Sequence, residues 1–200
     1  AERPTHANSQ ADAAQYEVAG HRWSDLSEPG FGVSLLTESK YGYSTHGNVM
    51  AVSLLRAPTY PDAEADQGDH CFASAIAPHA GGWREANIVA EAASFNVPLL
   101  WRNAVSPAHV ESFFSVDCSE LVIDTVKLAE DGAAVVVRLY ESTGRRGQAV
   151  LQIGLPFVRA ARANILEDEL ESLSSDHGQV SLTYQPFEII CLRLSVGAKS

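Results

Sequence analysis

Short apolar runs recur along the chain, and each is bounded by Gly, Pro, Asp or Ser residues. Apolar runs of about four to eight residues between turn residues are typical of β-strands. The rhythm therefore predicts an all-β fold. The predicted strands cover residues 31–36, 48–56, 70–77, 110–116, 121–128, 133–141, 148–155 and 187–196.

Two of these runs differ in their expected burial. Within 148–155, apolar and polar residues alternate, as a strand with one solvated face requires. Residues 133–140 are largely apolar on both faces, which favours a central strand that is covered on both sides. Asp131-Gly132 and residues 144–147 fit turns that join strands as hairpins. The pattern therefore predicts an antiparallel β-sandwich.

One segment breaks the strand rhythm. Ile88, Ala92 and Phe95 lie near helical spacing in and just after residues 83–93. We predict a short helix or an irregular segment there, and at most one or two short helices in all.

The chain has no internal repeat, heptad pattern or low-complexity linker, so we predict a single β-sandwich region over residues 1–200. Residues 1–30 are less apolar than the rest and are expected to form a loosely held edge. Residues 163–190 carry six acidic residues and no Lys or Arg. That composition favours a solvated loop with flanking strand ends over an acidic docking surface.

The net charge of the chain limits the kinds of partner that it is expected to bind. The 200 residues include 14 Lys and Arg against 25 Asp and Glu, a formal net charge of -11. Such a chain repels phosphate backbones and anionic lipid surfaces, so we expect neither nucleic acid nor a membrane as partner. The longest apolar run, 133–137, is far shorter than the roughly 20 residues that span a bilayer.

Three cysteines, Cys71, Cys118 and Cys191, are widely separated and form no CxxC pair. This spacing argues against a disulfide framework and against a thiolate zinc site. We interpret them as small buried hydrophobic residues in a reducing compartment, which predicts a cytoplasmic location.

Asp62, Glu64 and Asp66 alternate as the first ligands of a calcium loop do. That motif needs Gly at its sixth position and Glu at its twelfth, where this chain has Gln67 and Ala73. An EF-hand is excluded. A generic cation site and a solvated loop rich in turns both remain open for this stretch.

Histidine chemistry gives no clear centre. His70 and His79, with Asp69 nearby, lack a spacing that would place two imidazoles on one face, so structural histidines are favoured and no metal site is predicted. The sequence contains no G-x-S-x-G elbow, and its Ser, His and Asp residues are too scattered to nominate a triad. Composition and spacing alone therefore reveal no active site.

A set of longer strings, in collinear order over nearly the whole chain, resembles the C-terminal β-rich region of the α-mannosidases of glycoside hydrolase family 38. The strings are Arg3-Pro4-Thr5-His6, His21-Arg22-Trp23-Ser24-Asp25-Leu26-Ser27-Glu28, Ser39-Lys40-Tyr41-Gly42-Tyr43, Leu54-Leu55-Arg56-Ala57-Pro58-Thr59-Tyr60-Pro61-Asp62, Asp66-Gln67-Gly68-Asp69-His70, Pro78-His79-Ala80-Gly81, Ser112-Phe113-Phe114-Ser115-Val116 and Val136-Val137-Arg138-Leu139-Tyr140-Glu141.

The resemblance implies a parent enzyme that is a retaining, zinc-dependent exo-mannosidase. Its N-terminal α/β barrel would supply the aspartate nucleophile and the zinc ligands, and a helical bundle would follow. The present chain would hold no catalytic residue and no cofactor, and we expect it to be inactive by itself. Its partners would be the catalytic and helical domains of the same parent chain and, through the parent, an α-mannoside substrate.

In relatives, this region lends polar side chains to the sugar pocket, and the loops at 39–43 and 62–70 look like the equivalents. The resemblance therefore nominates Tyr41, Tyr43, Asp62 and Asp66 as substrate-binding residues. This sequence has Thr37-Glu38 where the family commonly has an Asn-Asp pair, so the contacts of the first loop are left open.

The alternative interpretation is that the chain is an independent carbohydrate-binding β-sandwich. Such modules commonly stack sugar rings on exposed aromatic side chains. Trp23, Trp83 and Trp101 lie in separate segments and form no row in the sequence. The sequence therefore favours the α-mannosidase domain over the independent module.

Overall fold

The computed structural model describes residues 2–3, 5–101, 103 and 112–196. It groups the chain in two compact units, Ala1–Arg102 and Asn103–Ser200, which are described separately below. The predicted all-β class with at most two short helices is confirmed, and all of the strand pairs found in it are antiparallel. The division into a single region over 1–200 stays a prediction.

Unit 1 combines two small sheets with two helices, and the sheet orders are β1-β4-β5 and β2-β3-β6. Its elements are α1 (Gln10–Ala14), β1 (Val18–Ala19), β2 (Trp23–Glu28), β3 (Phe31–Thr37), β4 (Gly42–His46), β5 (Val49–Val52), β6 (Ser74–Ala80) and α2 (Ile88–Asn96).

The core of unit 1 lies between the β2-β3-β6 sheet and α2. Leu36 packs with Ile88 and Ala92, and all three are buried. The helix predicted near residues 83–93 is present, but it begins at Ile88, since residues 83–87 form turns. The apolar spacing marked the buried face correctly and did not reveal the turns that precede the helix.

Unit 2 is built from two packed sheets, whose orders are β13-β14-β10-β7 and β12-β11-β15-β9-β8. Its elements are β7 (Phe114–Val116), β8 (Leu121–Leu128), β9 (Ala134–Glu141), β10 (Gly147–Ile153), β11 (Arg159–Ala163), β12 (Glu169–Leu173), β13 (Ser175–Asp176), β14 (Gln179–Tyr184) and β15 (Ile189–Ser195).

A continuous apolar core joins the two sheets of unit 2, as a β-sandwich requires. Val137 and Leu192 of one sheet and Leu151 and Val180 of the other are all fully buried within it. The predicted central strand is confirmed, because β9 lies between β8 and β15. The predicted one-sided burial of β10 is also confirmed: its Gln residues are exposed and its alternate apolar residues are buried.

Local turn chemistry predicted one hairpin correctly and one wrongly. Gly132 has a φ of +71° and closes the hairpin between β8 and β9. The turn at 144–147 instead connects β9 to β10, which belong to different sheets. A turn that closes a hairpin and one that crosses a sandwich need the same residue types, so the sequence could not separate them.

The interpretation of residues 163–190 as a solvated loop is wrong. They contain β12, β13 and β14, and Val180, Leu182 and Tyr184 alternate as buried residues. The acidic residues of this stretch lie outside β14, in β12, β13 and the adjoining loops, so treating 163–190 as one acidic segment hid the alternation within β14. The first two residues of the predicted strand 110–116 lie outside the described residues.

The burial predicted for the cysteines is correct for Cys191 alone. Cys71 is exposed, Cys118 is half-buried, and all three are free thiols. No helix within the described ranges is both long enough and apolar enough to cross a membrane.

Candidate functional site

Three segments of unit 1 meet around the loop that precedes β4. We call residues 19–22, 38–41 and 57–73 the rim loops. The backbone N–H of Glu38 donates to the carbonyl oxygen of Ala73 at 3.2 Å, and Lys40 Nζ lies 4.7 Å from the centroid of the Phe72 ring. The loop at 39–43 therefore contacts Phe72, two residues after the end of the nominated loop at 62–70.

The two nominated tyrosines have different surroundings. Tyr41 is 53% exposed, and its ring centroid lies 4.9 Å from that of His21. Tyr43 is only 2% exposed, and its hydroxyl is hydrogen-bonded to that of Thr37. Tyr41 can therefore offer its phenol to a ligand directly, whereas Tyr43 lies beneath the loop. Their role as substrate-binding residues stays a prediction.

The two nominated aspartates are exposed and shape the third rim loop. Asp62 Oδ1 accepts a hydrogen bond from the backbone N–H of Glu64 at 2.9 Å, and Asp66 Oδ2 accepts one from that of Ala57 at 3.0 Å. Asp66 has a φ of +59°, and its carbonyl oxygen lies 2.9 Å from His70 Nε2. These bonds occupy one oxygen of each carboxylate, and binding of substrate by Asp62 and Asp66 also stays a prediction.

The rim loops together contain several kinds of polar group. Tyr41 supplies a phenol, Lys40 an ammonium, His21 an imidazole and Asp66 a carboxylate. Hydrogen-bond donors and acceptors of this kind suit a ligand that carries several hydroxyl groups.

A buried cluster of Asp25, Ser34 and His79 lies on the covered face of the β2-β3-β6 sheet. Asp25 Oδ2 is 2.7 Å from His79 Nε2 and accepts a hydrogen bond from Ser34 Oγ at 2.6 Å. The side chains of His79 and Asp25 are 7% and 4% exposed, and Ser34 is fully buried. Because both partners bind the same aspartate oxygen inside the unit, the cluster stabilises the sheet and does not form a nucleophilic triad.

Sequence reasoning missed this cluster. It paired His79 with His70, whereas the actual partner, Asp25, lies 54 positions away. Neither Asp25 nor His79 lies in a predicted strand, and their pairing depends on the register of β2, β3 and β6, which the sequence alone does not show.

Besides Asp25 of unit 1, a second buried carboxylate is Glu141 of unit 2, which is 2% exposed. Its oxygens accept hydrogen bonds from the backbone N–H groups of Thr143, Gly144, Arg145 and Phe187 at 2.8 to 3.1 Å, and from the Thr143 hydroxyl at 2.5 Å. Burial alone would raise the pKa of Glu141, but these donors outweigh it and lower the pKa to about 2. All of its contacts are within the fold, so the role of Glu141 is structural.

Glu167 is the third buried carboxylate. Lys127 Nζ lies 2.8 Å from its Oε1, and the backbone N–H of Glu130 donates to its Oε2 at 2.8 Å. The hydrogen bond from Lys127, followed by that from Glu130, lowers the pKa of Glu167. It fastens the β11–β12 loop to the β8–β9 hairpin.

The described residues do not supply a metal centre: no group of three or more His, Cys, Asp or Glu side chains in them could hold an ion. The tryptophans do not line up either. Trp23 and Trp83 pack on one another with ring centroids 5.1 Å apart, Arg84 covers Trp83 at 4.2 Å, and Trp101 is exposed elsewhere.

Two family models match the chain. The model of the glycosyl hydrolases family 38 C-terminal domain matches residues 1–64, and that of the family 38 C-terminal beta sandwich domain matches residues 120–192. The second match lies within the sandwich of unit 2.

Several curated relatives match almost the whole chain. Alpha-mannosidase 2C1 of Homo sapiens is 42% identical over 96% of this chain, and alpha-mannosidase G of Dictyostelium discoideum is 39% identical over 96%. Among solved structures, an alpha-mannosidase from Enterococcus faecalis V583 superposes with a TM-score of 0.67 at 20% identity, covering 88% of this chain and 21% of that one. The chain spans about a fifth of the length of the curated relatives, 19% and 18% for the two named here.

Proposed function

Because the chain belongs to the C-terminal region of glycosyl hydrolase family 38, we propose that it is the non-catalytic β-rich part of a retaining, zinc-dependent α-mannosidase. In this proposal it supports the catalytic barrel of the parent and places the rim loops beside the sugar pocket. The parent hydrolyses terminal α-mannosides. The partners of the present region are the catalytic and helical domains of the same parent chain.

The observation that carries the proposal is the collinear identity with alpha-mannosidases over 96% of the chain. The chemistry of the described residues agrees with a supporting role. They contain no cluster that fits zinc, so in this proposal the zinc of the parent would be held by residues other than those that the structure describes. Their buried carboxylates are engaged in structural contacts instead of facing one another across a cleft, as paired glycosidase carboxylates must.

The role of the rim loops is supported by their convergence. Tyr41 and Lys40 project from a short loop that is tied to the third rim loop at Glu38. Hydrogen bonds from such groups to sugar hydroxyls strengthen as the ring flattens in the transition state, which would raise kcat. The proposal includes a cytoplasmic location, for which the support is the wide spacing of the three cysteines.

The isolated chain is expected to release no mannose from an aryl α-mannoside, with or without added Zn²⁺, while the complete parent enzyme does so. The physical reason is that the nucleophile and the metal ligands would lie in the barrel. The measurement is a chromogenic assay on both proteins after identical purification. Turnover by the isolated chain that responds to a substitution within it would contradict the proposal.

In the complete enzyme, Tyr41→Phe and Asp66→Asn should each lower kcat/KM by about 5- to 150-fold, which corresponds to about 1–3 kcal/mol per lost hydrogen bond. Tyr41→Phe keeps the ring contact with His21, and Asn tolerates the positive φ at position 66. The assay is steady-state kinetics on folded enzyme.

Tyr16→Phe is the matched control, since Tyr16 is 78% exposed in unit 1 and outside the rim loops. It should leave kcat/KM unchanged. If Tyr41→Phe and Asp66→Asn behave like this control, or lose activity only as folded protein is lost, the rim loops are scaffold and this part of the proposal is wrong.

A further inference from the structure

We infer that Thr37 is a positioning residue of the parent enzyme, which holds the loop 38–41 so that Lys40 and Tyr41 face the sugar. This inference rests on the proposed role of the rim loops and names the group that sets their geometry. Thr37 is the last residue of β3, and it is only 1% exposed, so it touches no ligand itself.

Thr37 is tied to two of the rim loops at once. Its backbone N–H donates to the carbonyl oxygen of Arg22 at 2.8 Å. Its hydroxyl donates to the carbonyl oxygen of Lys40 at 3.2 Å. One buried side chain therefore connects the end of a strand to the backbone of the residue that precedes Tyr41.

The direction of the hydrogen bonds follows from the number of protons. A threonine hydroxyl has one proton, and that of Thr37 is directed to Lys40. The hydrogen bond between the hydroxyls of Tyr43 and Thr37 must then be donated by Tyr43. The result is a buried relay from Tyr43 to Thr37 to the carbonyl of Lys40.

The far end of this relay, the Tyr43 ring, is closely packed. Tyr43 is 2% exposed, and a Cβ added at Gly20 would lie 2.9 Å from its Cδ2, so the phenol ring fills the space next to Gly20. Gly20 also donates its backbone N–H to the carbonyl of Tyr41 at 2.9 Å. The backbone of the loop is thus held by hydrogen bonds to two successive carbonyl oxygens, those of Lys40 and Tyr41.

The hydroxyl of Thr37 is not needed for the strand pairing around it. β3 is held by its ladders to β2 and β6, which run through backbone groups. Removing the hydroxyl leaves these ladders intact, but it deprives the Lys40 carbonyl of its donor and the buried Tyr43 hydroxyl of its acceptor. The expected consequence is that the loop relaxes locally and moves Lys40 and Tyr41 away from the positions in which they would contact the substrate.

The test uses the complete parent enzyme with Thr37→Val, which keeps the shape and removes the hydroxyl, and Thr37→Ser, which keeps the hydroxyl. Thr37→Val should lower kcat/KM of folded enzyme about tenfold and speed amide hydrogen exchange at residues 38–41. Thr37→Ser should stay within about twofold of the wild type in both measurements. Tyr43→Phe removes the first donor of the relay and should give an intermediate loss, which provides a second variant if Thr37→Val folds poorly.

The outcomes separate this inference from the proposed function. If Tyr41→Phe lowers kcat/KM but Thr37→Val and Tyr43→Phe do not, the rim loops bind substrate and the positioning role of Thr37 is overturned. If Thr37→Val lowers only thermal stability, with loop exchange and kcat/KM of folded enzyme unchanged, it is also overturned. If Tyr41→Phe has no effect, the proposed loop function has failed, and the positioning role falls with it whatever the exchange rates show.

Discussion

Replacing Glu141 by Gln is expected to lower the free energy of unfolding of the chain by about 3 kcal/mol at neutral pH. Glu141 is a buried carboxylate that accepts hydrogen bonds from four backbone N–H groups and one hydroxyl. The amide of Gln would turn an NH₂ group toward some of these donors and leave them without an acceptor. The measurement is urea denaturation, with hydrogen exchange of β9 and β15 amides to report on unit 2.

The loss of unfolding free energy caused by Glu141→Gln should depend on pH. The pKa of Glu141 is lowered from 4.5 to about 2, so the folded state favours the ionised form. Its contribution is therefore complete above the unfolded pKa, near 4.5, and is lost as the pH falls toward 2. The difference in unfolding free energy between wild type and Glu141→Gln should shrink over that window.

Glu171→Gln serves as the control, because Glu171 is exposed on β12. It should change the free energy of unfolding by less than about 0.5 kcal/mol. A difference between wild type and Glu141→Gln that stays constant from pH 7 to pH 3 would show that the charge of Glu141 is not what the donors stabilise.

Gly32→Ala is expected to destabilise unit 1 by about 2–3 kcal/mol. An added Cβ would lie 2.2 Å from His79 Cε1, so the imidazole must leave its place. That movement breaks the 2.7 Å contact between His79 and Asp25 and leaves a buried carboxylate without this partner. Tryptophan fluorescence during denaturation reports on unit 1, since Trp23 and Trp83 pack near α2.

A double-mutant cycle tests whether His79 causes the loss. In a His79→Ala background the added methyl group meets no imidazole, and Gly32→Ala should then cost less than about 1 kcal/mol. The remaining cost would come from Ser27, whose Cβ lies 2.8 Å from the added atom. Equal costs in both backgrounds would show that the added methyl group conflicts with Ser27 and not with the imidazole of His79.

Local patterns in the sequence determined much of the fold. The strand predicted over residues 121–128 has the same bounds in the structure, because turn residues end it on both sides. The alternation in β10 predicted its buried face, since successive side chains of a strand point to opposite sides. These features depend on neighbours in the chain, and a single sequence contains that information.

The sequence also determined which chain segments are concerned with the candidate site, through strings shared with a family. It did not show that Tyr41 is exposed and Tyr43 is buried, because both residues belong to the same shared string. Adjacent strand residues point to opposite faces, but the transition from loop to strand between Tyr41 and Gly42 sets which residue is inside.

Only the tertiary structure decided the partners of the buried polar groups. Asp25 meets His79 across 54 positions, and Phe187 donates to Glu141 across 46. Such pairs depend on strand register and on which sheet each strand joins, and a shift of one residue would exchange the buried and exposed faces. The turn at 144–147 shows the same limit, because its residues suit a hairpin and a crossing between sheets equally well. Turn chemistry and periodicity are local properties, whereas register and sheet membership are settled by the packing of the whole core.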